Sequence, residues 1–194
     1  MTAQQQRKER DRAARHQLII GTARELAEAE GWEAVTTRRL AERIEYSQPV
    51  LYSHFRGKDE IVAAVALDGF AELTATVRGA VPAGASARTA LRALAFAYVE
   101  WAERNPAVYD AMFSLSTGLV FADVSTPAPL NAGFDALLGV FAGVAGSTDP
   151  GLLTEVGWAA LHGLVTLTRA GRMPAEHTGP RLEVLVDRLA AGAG

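Results

Sequence analysis

The chain has 194 residues, 49% of them hydrophobic and 21% charged, the balance of a soluble globular protein with room for one sizeable domain or a small domain fused to a larger one. It contains no cysteine, which excludes disulfides, thiolate metal sites and cysteine nucleophiles. The formal net charge is −3, yet it is unevenly spread: residues 1–58 hold 11 Lys and Arg against 8 Asp and Glu, and residues 59–194 hold 8 against 14, so a basic head precedes an acidic body.

Apolar residues recur at three- and four-residue spacing throughout, with no strand-length alternation, so the chain reads as all-α. A first helix is expected from about Arg7 to Glu30, stopping at Gly31. Two short helices follow, from Thr36 to near Ile44 and from Gln48 to Phe55, the second ended by Gly57. A long helix runs from Lys58 to about Ala80, closed by Pro82 and Gly84. Ser86 is placed to cap the next, which ends near Asn105-Pro106. Beyond it the pattern predicts a helix from Ala107 to Ser114, a loop from Leu115 to Pro129, and helices over Leu130–Ala145, Pro150–Ala170 and Pro180–Ala191. A fraying Gly192-Ala193-Gly194 tail ends the chain. No stretch approaches about 18 consecutive apolar residues, so no membrane partner is expected, and the start of the chain lacks the apolar run of a secretion signal.

The segment from Thr36 to Lys58, TTRRLAERIEYSQPVLYSHFRGK, holds the most information. Thr36 can cap the first short helix, whose Leu40 and Ile44 lie four apart on one face, with small Ala41 allowing a close crossing. Ser47 is the second N-cap candidate, and Pro49 sits in a first turn where its missing N–H is not needed. Leu51 and Phe55, again four apart, can face the first pair. Two short helices joined by a tight turn form the unit that lays its second helix in a DNA major groove. Its outward residues are then Gln48, Pro49, Val50, Tyr52, Ser53 and His54. Gln48 suits adenine edges, and Pro49 or Val50 suits thymine methyls. Tyr52, His54 and Lys58 suit phosphate oxygens. Such helix pairs also occur in proteins that touch no nucleic acid, and the pattern alone leaves both readings open.

These residues resemble a known family. Thr37-Arg38, Leu40-Ala41, the Ser-Gln-Pro-x-Leu-Tyr-x-His-Phe run at residues 47–55 and Lys58 are similar to the TetR DNA-binding signature. The preceding Ile20-x-x-Ala23-x-x-Leu26-Ala27 and Gly31-Trp32 resemble that family's first helix. The likeness spans about residues 14–72. It implies that Thr37 and Arg38 lie where phosphate and base contacts are made, that Thr36 approaches the backbone, that Gln48, Pro49 and Val50 read bases, and that Tyr52, His54 and Lys58 grip phosphates. One departure stands out: Glu45 occupies the turn where the family usually has Gly, so either the turn is reshaped or Glu45 takes a strained conformation. The basic arm of Arg7, Lys8, Arg10, Arg12 and Arg15 before the first helix is either a DNA-contacting arm or a solvated extension.

In the C-terminal part, Trp158-x-x-x-His162-Gly163 resembles a TetR C-terminal type named for its Trp, His and Gly, which implies a ligand-binding and dimerising domain. Gly163 inside a helix costs about 1 kcal/mol relative to Ala, which a close helix approach would offset. His162 reads as a hydrogen-bonded core or interface histidine or as a ligand contact, and no metal site is expected. The region is rich in aromatic and soft residues: Phe96, Tyr98, Trp101, Tyr109, Met112, Phe113, Phe121, Phe134 and Phe141. They form either plain core or the lining of an apolar pocket. The candidate ligand contacts are Tyr98, Trp101, Tyr109, Met112, Phe113, Phe134, Trp158 and His162.

Apolar stripes on the last two helices suit a four-helix dimer seam. Leu153, Val156, Trp158, Leu161, Leu164, Val165 and Leu167 nearly encircle the first, and Leu182, Leu185, Val186 and Leu189 stripe the last. The expectation is thus a helix-turn-helix domain over residues 12–72 and a ligand-binding and dimerisation domain over 73–194. The expected function is that of a cytoplasmic homodimeric repressor on a pseudo-palindromic double-stranded operator, released by a small, largely apolar effector. A DNA-binding regulator without an effector is the alternative. No cofactor is expected. No Ser–His–acid spacing, phosphate loop, HExxH or facing carboxylate pair points to an enzyme.

Overall fold

The computed structural model describes residues 2–120 and 123–191, so Phe121 and the tail at residues 192–194 lie outside the described residues. The described residues form α-helices and short 3-10 turns, without strands. The helices are α1 (Ala3–Glu30), α2 (Thr37–Arg43), α3 (Gln48–Tyr52), α4 (Lys58–Ala80), α5 (Ala87–Arg104), α6 (Pro106–Phe113), α7 (Ala128–Phe141), α8 (Pro150–Arg169) and α9 (Thr178–Ala190). None is long and apolar enough to cross a membrane.

Helix α1 begins at Ala3 rather than near Arg7. Thr2 accepts from the Gln5 N–H while the Gln5 side chain accepts from the Thr2 N–H, a reciprocal cap that starts the helix before any apolar periodicity does. Helix α7 starts at Ala128, ahead of the expected Leu130, because Pro129 fits a first turn as well as a loop. Ser86 caps α5 as expected, accepting from the Thr89 N–H at 3.2 Å.

The chain folds into two compact units. One comprises Met1–Gly69 with Asn105–Asp123, the other Phe70–Arg104 with Val124–Gly194. In the first, α1 buries Ile19, Ile20, Ala23, Leu26 and Ala27, α2 and α6 pack on it, and α3 packs on α2. Helix α6, which the sequence groups with the C-terminal part, is held here by polar bonds of long sequence separation. The Glu28 carboxylate accepts from the Ala107 and Val108 N–H groups, both at 3.1 Å. Asn105, at the N-cap position of α6, makes no capping bond of its own, so Glu28 does that work from another helix. Arg24 donates to the Asn105 side chain at 2.7 Å, and the Trp32 indole N–H donates to the Ala107 carbonyl at 2.7 Å. Gly69 lets α4 approach α6: a Cβ there would lie 2.4 Å from Val108 Cγ1 and 2.8 Å from Met112 Sδ.

In the second unit, α5 packs on α7, α8 and α9, and α7 packs on α8. Gly157 makes the α7–α8 crossing close, since a Cβ there would sit 2.1 Å from the Phe141 ring. The close approach that would offset the cost of Gly163 is found at Gly157 instead: a Cβ at Gly163 would meet nothing within 4 Å beyond its chain neighbours and its own helix backbone. Ion pairs Arg88–Asp187 and Arg92–Glu183 tie α5 to α9 at the surface.

Candidate nucleic-acid interface

Helices α2 and α3 pack on each other through Leu40, Ala41, Leu51 and Phe55, all buried. Thr36 caps α2, its hydroxyl accepting from the Arg39 N–H at 3.2 Å. The helix ends in a paired C-terminal turn. The Tyr46 N–H donates to the Ala41 carbonyl at 3.0 Å, and the Glu45 N–H donates to the Glu42 carbonyl at 3.4 Å. This closure demands a left-handed residue, and Glu45 supplies it with φ 57°. Of the two outcomes left open by the sequence, the turn keeps its shape and Glu45 absorbs the strain, about 1 kcal/mol for an L-residue.

Helix α3 is shorter than the pattern predicts, ending at Tyr52. The Ser53 hydroxyl turns back to the Val50 carbonyl at 2.6 Å, and the His54 N–H bonds the Leu51 carbonyl at 2.9 Å, a tightened last turn that delivers Phe55 to the core. Ser47 stands at the N-cap with extended backbone, but its hydroxyl makes no capping bond. With Leu51 and Phe55 holding the inner side, the other side of α3 faces outward. Gln48, Pro49 and Ser53 are exposed, Tyr52 is 52% exposed and Val50 is half-buried.

Around this face, Thr36 and Arg38 are exposed and Thr37 is half-buried. Arg38 pairs with Glu42 one turn on at 2.9 Å, which raises its already high pKa. Lys58 donates to the Trp32 carbonyl at 2.5 Å, leaving two of its three ammonium protons for other acceptors. His54 is half-buried beside His16, ring centroids 6.0 Å apart. Burial, then the nearby His16, Arg12 and Arg15, push its pKa below the ordinary histidine value. At neutral pH it offers a neutral N–H to an oxygen rather than a full charge. Sequence reading missed His16, whose ring stacks on Phe55 at 4.4 Å. A lone histidine inside a helical pattern carries no signal of that contact.

The candidate ligand residues fall in both units. Tyr109, Met112 and Phe113 lie on α6 in the first, where the Tyr109 and Phe113 rings tilt at 4.7 Å. Tyr98, Trp101, Phe134, Trp158 and His162 lie in the second. There the Trp158 indole donates to the Tyr98 hydroxyl at 3.1 Å, joining α8 to α5. Tyr98, Trp101, Tyr109 and Met112 are buried, and the other four are half-buried. Arg92 lies over the Phe96 ring at 4.4 Å, so Phe96 serves the surface of α5. Burial lowers the pKa of His162.

Comparison with known proteins supplies a context for this geometry. Residues 19–65 match the model of bacterial regulatory proteins of the tetR family, and residues 91–192 match a tetracyclin repressor-like C-terminal domain. An HTH-type transcriptional regulator of Mycobacterium tuberculosis, Rv0681, is 28% identical over 179 residues, 90% of this chain and 79% of that protein. The Bacillus subtilis regulator YobS is 32% identical over 94 residues, which is 48% of this chain and 49% of its own length. Among solved structures, a TetR from Acinetobacter baumannii AYE in complex with minocycline superposes with a TM-score of 0.65 at 20% identity, covering 90% of this chain and 93% of that one. With both family models matched, over a head and a body that together make up most of its length, the chain belongs to the TetR family of DNA-binding transcriptional regulators.

Proposed function

We propose that this regulator acts as a homodimeric repressor that reads a pseudo-palindromic operator with α3 and releases it on binding a small, largely apolar effector. The observation that carries the reading is the outward side of α3. Gln48, Pro49 and Tyr52 stand exposed on a helix whose opposite side, Leu51 with Phe55 just beyond it, is anchored in the core. Gln48 would bond base edges, with Pro49 and Val50 against methyl groups. Ser47, Ser53, Tyr52, His54, Lys58, Thr36, Thr37 and Arg38 would meet the strands on either side.

Dimerisation is supported by α8 and α9. Leu152, Val156 and Leu167 of α8 and Val184 of α9 are 61%, 62%, 46% and 61% exposed, in line with open space at Gly163. A second copy laid against that stripe would bury it and give the Gly163 backbone its missing neighbour. Two reading heads would then span half-sites about 34–36 Å apart. Release by an effector is supported by the minocycline complex of the A. baumannii protein and by the aromatic residues of α5 and α8. Assignment of the C-terminal part to a Trp-His-Gly type rests on Trp158, His162 and Gly163 and belongs to this proposal. Helix α6 follows α5 after Asn105 and is fastened to α1 by Glu28 and Trp32, so a displacement of α5 would reach the reading head along the chain. The coupling needed is a few kcal/mol.

Fluorescence anisotropy on a duplex taken from DNA beside its own gene tests this, with and without apolar and aromatic effectors. The expected result is dimer-dependent binding that one of them weakens at least tenfold. Equal affinity of monomer and dimer would overturn the dimeric reading, and affinity untouched by any effector would favour the regulator without one.

A further inference from the structure

Helix α1 outruns the domain it belongs to. Residues 3–15 are exposed at every position, and they extend for about 20 Å at the helical rise. No apolar side chain larger than alanine occurs there, so this stretch buries nothing. It does carry Arg7, Lys8, Arg10, Arg12 and Arg15 against Glu9 and Asp11. The spacing sorts these charges. Lys8 and Arg12, then Arg15 and His16 three and four residues beyond Arg12, share the side that continues into Ile19, Ala23 and Leu26, the buried stripe of the same helix. Arg7 and Arg10 lie on other faces. The side of α1 that packs on the helix-turn-helix therefore continues past it as a cationic ridge.

That ridge meets the end of the reading helix. Glu9, Arg12, Ala13, His16, Gln17 and His54 line an open groove of about 350 Å³. His16, which lines it, stacks on Phe55, and Arg12 and Arg15 lie near enough to act on the His54 imidazole. Neither arginine makes an ion pair among the described residues, and Glu9 is the one acid lining the groove. A groove lined by one unpaired guanidinium group and two imidazoles, with a second guanidinium one turn along the same helix, lacks one thing, an anion. Helix α3 would bring a polyanion to its edge.

We propose that Arg12, Arg15, His16 and His54 form a phosphate-binding groove that grips the DNA strand as it leaves the reading helix, so that each protomer holds the duplex beyond the bases α3 reads. The proposal rests on the DNA-binding reading. It adds residues outside the helix-turn-helix and assigns them a sequence-independent role. Such contacts strengthen binding without changing base preference, and each one steepens the dependence of log K on log salt by about 0.9. Removing two per protomer spares roughly a tenfold loss for each protomer, about a hundredfold for the dimer, on going from about 50 to 200 mM salt.

The test uses the full chain and a duplex selected from a random pool, with binding measured across salt. The double variant Arg12→Gln, Arg15→Gln is compared with Arg7→Gln, Arg10→Gln, which removes equal charge from the other faces of the same exposed helix. The expected result is a slope shallower by about 1.8 per protomer in the first variant, with a smaller change in the second and the selected sequence unchanged in both. Glu9→Gln should tighten binding. Equal effects of the two double variants, or no effect of the first, would overturn the groove while leaving base reading by α3 intact. A change in base preference would overturn its sequence-independent role. A chain that selects no duplex at all would overturn the DNA-binding reading and the groove together.

Discussion

Replacing Glu28 by alanine removes the acceptor from the first turn of α6. Two N–H groups, those of Ala107 and Val108, then lose partners 3.1 Å away in a part-buried site, and the positive end of the helix loses its carboxylate. A hydrogen bond to a charged group contributes about 1.5–3 kcal/mol when buried, and water admitted to a half-open site recovers part of that. Truncating an ordinary N-cap costs about 0.5–2 kcal/mol. The loss worked from this geometry is about 2 kcal/mol for Glu28→Ala, and about half that for Glu28→Gln, whose amide carbonyl still accepts but bears no charge. Hydrogen exchange at the Ala107 and Val108 amides reads the local effect, and urea unfolding reads the global one. Local opening should rise by roughly thirtyfold in the alanine variant. If the two amides keep their protection, or if Glu28→Ala lies within about 0.5 kcal/mol of the parent, the cap is not what holds α6 to α1.

Glu45→Gly relieves the left-handed strain at the end of α2 at the expense of some chain entropy, so stability should rise by about 0.5 kcal/mol with operator affinity unchanged, as a paired thermal melt and binding titration would show. Gly157→Ala drives a methyl group into the Phe141 ring and should cost about 1–3 kcal/mol in urea unfolding. Gly163→Ala meets nothing in its own chain and should add about 1 kcal/mol to a monomer, but it should loosen a dimer seam closed on that glycine, which sedimentation at several concentrations separates. His54 and His162 both have pKa values lowered by burial, so the unfolded chain binds protons more readily than the native one. Stability should therefore be full above the ordinary histidine value of about 6.5 and decline as pH falls below it. A DNA phosphate against His54 would favour its charged form, so affinity should strengthen as pH falls through that same window. A melting temperature that rises on acidification would contradict the first of these effects, and weaker binding on acidification the second.

The reading head was legible because its chemistry is local. Leu40 and Leu51 with Phe55 announce two short amphipathic helices, Pro49 marks a first turn, and Glu45 flags a conformation that the backbone adopts. Contacts between residues far apart in the chain were not legible. Glu28 looks like any solvent-facing acid of a helix, and its N–H partners lie 79 and 80 residues on. For the same reason α6 read as part of the C-terminal body, since no periodicity reports which unit a short apolar helix joins. Gly157 and Gly163 are alike in sequence, and only the position of the Phe141 ring tells them apart. The early start of α1 was within reach, because Thr2 and Gln5 have the three-residue spacing of a capping box, but a polar stretch without a stripe drew attention away from it.

The most direct test of the account is selection of duplexes from a random pool by the purified chain at about 0.15 M salt, followed by sequencing. Base reading by α3 in a dimer predicts enrichment of an inverted repeat with half-sites about one helical turn apart, and a Gln48→Ala variant that loses preference at one position in each half. A pool that stays random through successive rounds, or an enriched sequence that Gln48→Ala and Val50→Ala leave untouched, would mean that α3 does not read bases.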